Sequence, residues 1–590
     1  SCTYSTDMKE RIYDLLSEIY GPDTGESAAA RVHELLLRYA ERIERPSPSA
    51  PQAGARPTGL PVTERDTVMI TYGDQFSGPE GVPLSYLHRF LEEDLEGTVS
   101  GVHILPFSPY SSDDGFSVID YRQVDPKLGS WEEIRQIGDD FRLMADLVLN
   151  HCSAQSDWFK AFQKWEEPYH RYFITVPPGT DTSEVFRPRA LPLLTAFDTT
   201  DGEKLVWTTF SADQVDLNYA EPDTFLEMAD VMLSYLAEGA QVIRLDAIAY
   251  LWKELGTPCI HHPKTHLMVQ VFRALFDELA PWAIIITETD VPHAENISSF
   301  GEGDNEAHMV YNFSLPPLTL DAFVREDATH LADWARSLTG FGEETSFFNF
   351  LASHDGVGVL PAKGYLSDEE LDNLIATVES RGGRVSYKST PAGDIPYELN
   401  INYLSAVTDP ALPEDQRAKV FLAGQAVMLA FQGVPGIYVH SLLGSENWQE
   451  GVEKTGANRT INRQKFDYQE LSTELLADGS LRNLVFEGYK QLIRARAKSA
   501  AFDPASPQSV LSTPANVFGL ARGPYQGSGT AYCLVNVSGA DAEVVLPRPE
   551  REDGGFTDLI SGDRVFPHPE GSDSCSVELT PHEVLWLASK

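Results

Sequence analysis

QVIRLDAIAY (residues 241–250) is a short apolar run that turns polar at its far end, where Arg244 and Asp246 alternate with aliphatic residues. Apolar texture that hardly alternates suits a strand buried on both faces of a parallel sheet. Seven more runs share it: VMITYGDQF (68–76), GVHILPF (101–107), LMADLVLNH (143–151), AIIITETD (283–290), HMVYNFSL (308–315), SFFNFLASHD (346–355) and VPGIYVHSLLG (434–444). Each is followed by a longer amphipathic stretch, so strand and helix alternate. Eight such units predict an α/β fold, a closed (β/α)8 TIM barrel rather than an open doubly wound sheet. Asn150-His151, Asp246, Glu288 and His354-Asp355 all stand where a strand finishes. In such a barrel the carboxyl ends of the strands meet in one site.

Outward from these runs the chain divides by texture. Residues 1–62 read as an N-terminal helical extension and linker: Ile12, Leu15, Leu16 and Ile19 share one helix face, and Val32, Leu35, Leu36, Tyr39 and Ile43 share another. A Pro/Ala/Ser/Gly stretch from Pro46 to Pro61 has linker composition. The barrel then occupies 63–151, 239–355 and 416–504, interrupted by inserted subdomains at 152–238 after the third strand and 356–415 after the seventh. Residues 505–590 turn all-β, with AYCLVNV (531–537), AEVVLP (542–547) and EVLWLA (583–588), and read as a C-terminal β-sandwich.

Forty-five basic against 88 acidic residues give a formal charge of −43. Nucleic acid and anionic membrane are therefore poor partners, because binding phosphate backbones needs clustered Lys and Arg. The acidity suits a surface kept soluble in a salty cytoplasm, and equally suits ordinary acidic solubility. Five cysteines (Cys2, Cys152, Cys259, Cys533, Cys575) are too few and too scattered for a disulfide framework or a zinc site. No signal peptide and no membrane span are expected, and a cytoplasmic location follows.

Breaking a glycosidic bond with retention needs two carboxyl groups roughly 5–5.5 Å apart, one a nucleophile and one a proton donor. Arg244, two residues before Asp246, points to the same strand face and can orient that carboxylate. Glu288 closes a very apolar run, and desolvation there raises a carboxyl pKa, as a proton donor requires. DLVLNH, RLDAIAY, TE and SHD, in this order at the ends of strands three, four, five and seven, resemble the four signature regions of the α-amylase superfamily of glycoside hydrolases. The resemblance implies Asp246 as nucleophile, Glu288 as acid/base and Asp355 as a third carboxylate gripping sugar hydroxyls. It also implies that His151, Arg244 and His354 line the glucose subsite.

A narrower resemblance is to the sucrose phosphorylase family, in which phosphate captures the glucosyl-enzyme. HILPFSPYSSDDGFSVIDYRQVDPKLGSW (103–131) resembles that family's segment after the second strand, and implies that Asp113 and Phe116 close the glucose pocket. FRPRALPLL (186–194) and LVWTTFSADQVDLNY (205–219), which contains Phe210, resemble its first insertion. YELN (397–400), with Tyr397 and Glu398, resembles its mobile loop, and GANRTINRQKF (456–466) supplies a sugar-binding Arg459. By the same resemblance Arg189 and Tyr250 receive phosphate. The partners implied are a small α-glucoside and inorganic phosphate, with no metal or other cofactor; the N-terminal helices offer a contact surface for a homodimer.

The acceptor divides the family. The run from Ile286 to Leu320 and the N-terminal helices are more similar to glucosylglycerol and glucosylglycerate phosphorylases than to sucrose phosphorylases. Glycerate-type members carry Asn two residues after the acid/base and Arg in the mobile loop; here Asp290 and Asp394 stand instead. Both departures favour neutral glycerol, so phosphorolysis of 2-O-α-glucosylglycerol is the first expectation. Glucosylglycerate, sucrose and sucrose 6-phosphate are alternatives. An α-glucosidase or transglucosidase on the same scaffold is a further rival, which phosphate dependence would separate.

Overall fold

The computed structural model describes residues 5–46, 59–338 and 343–590. Cys2 and most of the Pro-rich linker, residues 47–58, lie outside the described residues. All eight apolar runs form strands: β1 (Val68–Thr71), β2 (Gly101–Ile104), β3 (Arg142–Leu147), β4 (Ala240–Leu245), β5 (Ile284–Thr287), β6 (Met309–Tyr311), β7 (Ser346–Asn349) and β8 (Val434–Tyr438). They pair in parallel in chain order, and β1 closes the barrel on β8 with Val68 opposite Gly436. Helices cover the outer face and side chains fill the bore, so β3 is buried at all six positions and shows no alternation. Gly436 belongs to that packing: a Cβ there would fall 2.3 Å from the Phe348 ring.

The N-terminal extension is a helical hairpin. In α1 (Thr6–Tyr20) the Ser5 hydroxyl accepts from the Met8 amide; Gly21, at φ 88°, ends the helix, and Pro22 opens α2 (Pro22–Tyr39). The predicted faces are the buried ones, with Leu16 and Val32 fully enclosed. The hairpin lies on two barrel helices, α1 against α4 (Pro263–Leu279) and α2 against α3 (Pro222–Ala237). Arg11 reaches Asp277 at 3.0 Å, and the Tyr20 hydroxyl donates to the Tyr219 carbonyl at 2.6 Å.

Two sheets project between barrel strands. After β3 comes a three-stranded antiparallel sheet (Thr175–Val176, Leu194–Thr199, Gly202–Trp207). After β7 comes another, in which Arg384–Thr390 pairs with Gly393–Asn400 and Val357–Gly358 forms the opposite edge. The YELN segment, expected as a loop, is thus the returning strand of a hairpin. Residues 505–590 form a six-stranded and a three-stranded sheet. Leu534 and Tyr532 of one face Val544, Leu546 and Val577 of the other in a shared apolar core, which is a sandwich. Cys152, Cys259, Cys533 and Cys575 are free and buried. Among the described residues no helix is long and apolar enough to cross a membrane.

Candidate active site

Parallel pairing fixes the central geometry. Leu245 stands opposite Thr287, so the next residue of each strand, Asp246 and Glu288, emerges side by side. Arg244 lies beneath both and is almost wholly enclosed. It donates to Asp246 Oδ1 at 2.9 Å and to Asp146 Oδ1 at 2.5 Å, and stands 3.4 Å from Glu288 Oε2. Its Nε donates to the Tyr311 hydroxyl at 3.1 Å. Asp146 in turn meets His103 Nε2 at 2.6 Å. Asp146, His103 and Tyr311 were not singled out in the sequence. The available signal was three polar side chains inside runs that are otherwise apolar.

Burial pushes both reacting carboxyls up, Glu288 to about 8 and Asp246 to about 6, while Arg244 pulls each back down. The Ala247 amide donates to Glu288 Oε2 at 3.1 Å, from a residue held at φ 50° just past the strand end. Near neutral pH the pair therefore holds one ionised and one protonated carboxyl, the division a retaining double displacement requires.

Asp355 follows β7. Burial alone would raise it, but Arg459, at 2.9 Å, together with His354, Arg463 and Arg244, holds it well below the usual carboxylate range. Phe116 stacks on the His354 ring at 5.0 Å and 5°. Burial depresses His354 to about 3 and His151 to about 4, so both rings are neutral. His151 Nδ1 accepts from Asn150 at 3.2 Å, and its Nε2 donates to the Phe116 carbonyl at 3.0 Å. With both nitrogens engaged it contributes shape to the pocket and holds the Phe116 backbone. Asp113 accepts from Gln214 Nε2 at 3.0 Å and has Arg189 3.9 Å away.

Beside His151 the rings of Phe210 and Tyr250 meet edge to face at 5.4 Å, and Arg189 lies 5.3 Å over Phe210. Glu398 spends both oxygens on Arg459, at 2.9 Å each, so it holds that arginine in place. Asp394 is exposed at the hairpin tip, where Ser389 donates to it at 3.0 Å, and it does not line the cavity. Asp290 does line it, with a buried Oδ1 that has no partner. Burial drives Asp290 well above the usual range, and Glu398, Glu288 and Asp355 push the same way. Its proton is therefore held more tightly than that of an ordinary carboxyl. Both arguments from the sequence against an anionic acceptor weaken: Asp394 does not line the cavity, and burial with acidic neighbours disfavours the charge on Asp290.

Of the residues singled out in the sequence, all but Asn150, Arg244 and Asp394 line one cavity of about 130 Å³. It opens into an outer basin of about 560 Å³ that shares Asp113, Arg189, Tyr397 and Arg459. Cavity residues not found from the sequence include Phe186 and Lys388, whose ammonium sits 3.9 Å over the Phe186 ring.

Residues 95–377 match the family model described as the catalytic domain of α-amylase. The glucosylglycerate phosphorylase of Spirochaeta thermophila is 57% identical over 98% of both chains. The glucosylglycerol phosphorylase of Marinobacter adhaerens is 27% identical over 74% of this chain and 88% of its own. The crystal structure of sucrose 6F-phosphate phosphorylase from Thermoanaerobacter thermosaccharolyticum superposes with a TM-score of 0.70 at 24% identity. It covers 80% of this chain and 94% of its own.

Proposed function

The chain belongs to the α-amylase superfamily and, within it, to the sucrose phosphorylase-like glycoside phosphorylases; on that premise we propose that it cleaves α-glucosylglycerate with phosphate. The enzyme acts on an α-glucoside by phosphorolysis, releasing α-glucose 1-phosphate. The single observation that carries glycerate as the acceptor is the end-to-end likeness at 57% identity to a glucosylglycerate phosphorylase. The sequence reading put glycerol first and glycerate second. That order reverses, because the glycerol-type relative is less than half as similar and matches a smaller share of the chain.

The mechanism follows from the site. Glu288 protonates the oxygen that leaves with glycerate while Asp246 attacks the anomeric carbon from the opposite side, giving a β-glucosyl ester. Asp355, kept ionised by Arg459, grips sugar hydroxyls as the ring flattens and positive charge grows on it. Glycerate departs and phosphate enters. A phosphate oxygen attacks the anomeric carbon as Glu288, now ionised, takes the phosphate proton; the bond from that carbon to Asp246 breaks and Asp246 leaves as a carboxylate. Arg189 offsets the repulsion between phosphate and Glu288, and Tyr250 supplies a hydroxyl.

The test is glucose 1-phosphate release from glucosylglycerate, glucosylglycerol and sucrose, each with and without phosphate. Phosphate-dependent release fastest from glucosylglycerate is expected. Glucosylglycerol far ahead would overturn the acceptor and leave the chemistry standing. Free glucose at the same rate without phosphate would overturn both.

A further inference from the structure

The cations around the cavity are unequally committed. Arg244 is shared among Asp146, Asp246 and Glu288; Arg459 is held by Asp355 and Glu398; Arg463 pairs with Asp114 at 2.7 Å. Arg189 has Asp113 at 3.9 Å, on the side of Phe210. Lys388 makes no salt bridge among the described residues: its ammonium is half-buried over the Phe186 ring and lines the cavity.

Hairpin geometry puts it there. Lys388 pairs with Ile395, and its neighbour Ser389 pairs with Asp394. Successive residues of a strand face opposite ways and cross-strand partners share a face. Ser389 and Asp394 therefore look outward, and Lys388 looks inward, towards Asp290. Asp290 lies two residues beyond Glu288 and is pressed by Gly358, where a Cβ would fall 2.2 Å from its Oδ2. The group that leaves on Glu288's proton is thus held beside Asp290 and within the field of Lys388. Burial and Lys363 weaken the Lys388 charge, whereas Asp290 and Glu295 support it. A half-desolvated ammonium with no salt bridge among the described residues is a ready site for a small carboxylate.

We propose that Lys388 is the specificity residue that reads the acceptor's carboxylate, with the Asp290 carboxyl beside it hydrogen-bonding the acceptor. This rests on the assignment of glycerate above. Arg189, forked and on the Phe210 side, is left to phosphate, so the two anionic acceptors draw on different cations.

The experiment runs the reaction in reverse with glucose 1-phosphate as donor, letting D-glycerate and glycerol compete for one glucosyl-enzyme. The ratio of their kcat/KM values cancels every donor-side effect and any loss of folded protein. Lys388→Gln is expected to lower the glycerate-to-glycerol ratio roughly 10- to 100-fold, the worth of one charge-assisted hydrogen bond, chiefly through the glycerate KM. Lys388→Arg should restore most of it. A ratio unchanged within about twofold in Lys388→Gln would overturn the proposal while leaving glycerate as the acceptor. A wild-type enzyme that prefers glycerol would overturn the acceptor assignment and this proposal together.

Discussion

At the scale of single residues, the active site is a problem of keeping two adjacent carboxyls in opposite protonation states. Burial raises both, Asp246 to about 6 and Glu288 to about 8. The reaction needs Asp246 ionised and Glu288 protonated, so activity is lost as pH falls through the lower value and as it rises through the upper. At saturating phosphate, kcat/KM for the glucoside should be bell-shaped, with apparent limits near 6 and 8 that belong to the coupled pair. Glu288→Gln should remove the alkaline limb and cost about 10²–10⁴ in rate, and an α-glucosyl donor whose leaving group needs no proton should recover much of that loss. A profile flat to pH 9.5, well above the Glu288 value of about 8, would sink the assignment. The pair was legible in the sequence because strand ends in a barrel converge, which makes the residues after Leu245 and Thr287 neighbours. Lys388 was not legible. Whether it or Ser389 faces inward depends on where the hairpin turns, and Thr390 opposite Gly393 fixes that only in three dimensions. The raised pKa of Asp290 was equally hidden, because its burial and two of its acidic neighbours, Glu398 and Asp355, depend on segments distant in sequence.

At the scale of elements, the eight strands were readable because a strand covered on both faces has no polar positions to conceal it. The paired helices were readable because each presents one apolar stripe. The inserted sheets were not: their strands are short and half-exposed, as in Leu194–Thr199, which has no fully buried position. Their pairing is set by the barrel end they cover. The N-terminal hairpin provides the element-scale test. Leu16 is fully enclosed between α1 and its neighbours, so Leu16→Ala removes buried methyl groups and leaves a cavity that two docked helices cannot readily collapse. It should cost about 2–5 kcal/mol in urea unfolding. The residues proposed for catalysis sit at strand ends inside the barrel mouth, so kcat at 25 °C should stay within about twofold of wild type. A fall in kcat without a fall in stability would mean that the hairpin acts on the site through Tyr20 and the segment it touches at Tyr219 and Trp252.

For the whole molecule, the dominant feature is a charge of −43 around a cavity proposed to receive phosphate and glycerate. Some cations pair with acids on the surface, as Arg31 does with Asp223, Arg135 with Glu238 and Lys454 with Glu450, but 45 basic residues cannot offset 88 acidic ones. Arg189, Lys388 and Arg459 are gathered at the cavity. The outer surface is left strongly acidic and repels itself. Such repulsion acts over the Debye length, about 10 Å at 0.1 M salt and about 3 Å at 1 M. Added sodium chloride should therefore raise the thermal midpoint steeply at first and then level off as screening becomes complete. Salting-out of apolar surface would instead keep the midpoint climbing in proportion to concentration. The two contributions separate in one calorimetric series, repeated with a variant in which several exposed acids distant from the cavity are neutralised. That variant should start with a higher midpoint at low salt and gain less from added salt. If the midpoint is flat across the series, the acidic surface carries no stability cost and serves solubility alone; if it levels off only near 1 M, the fold is matched to a salty interior, where screening offsets the repulsion its own composition creates.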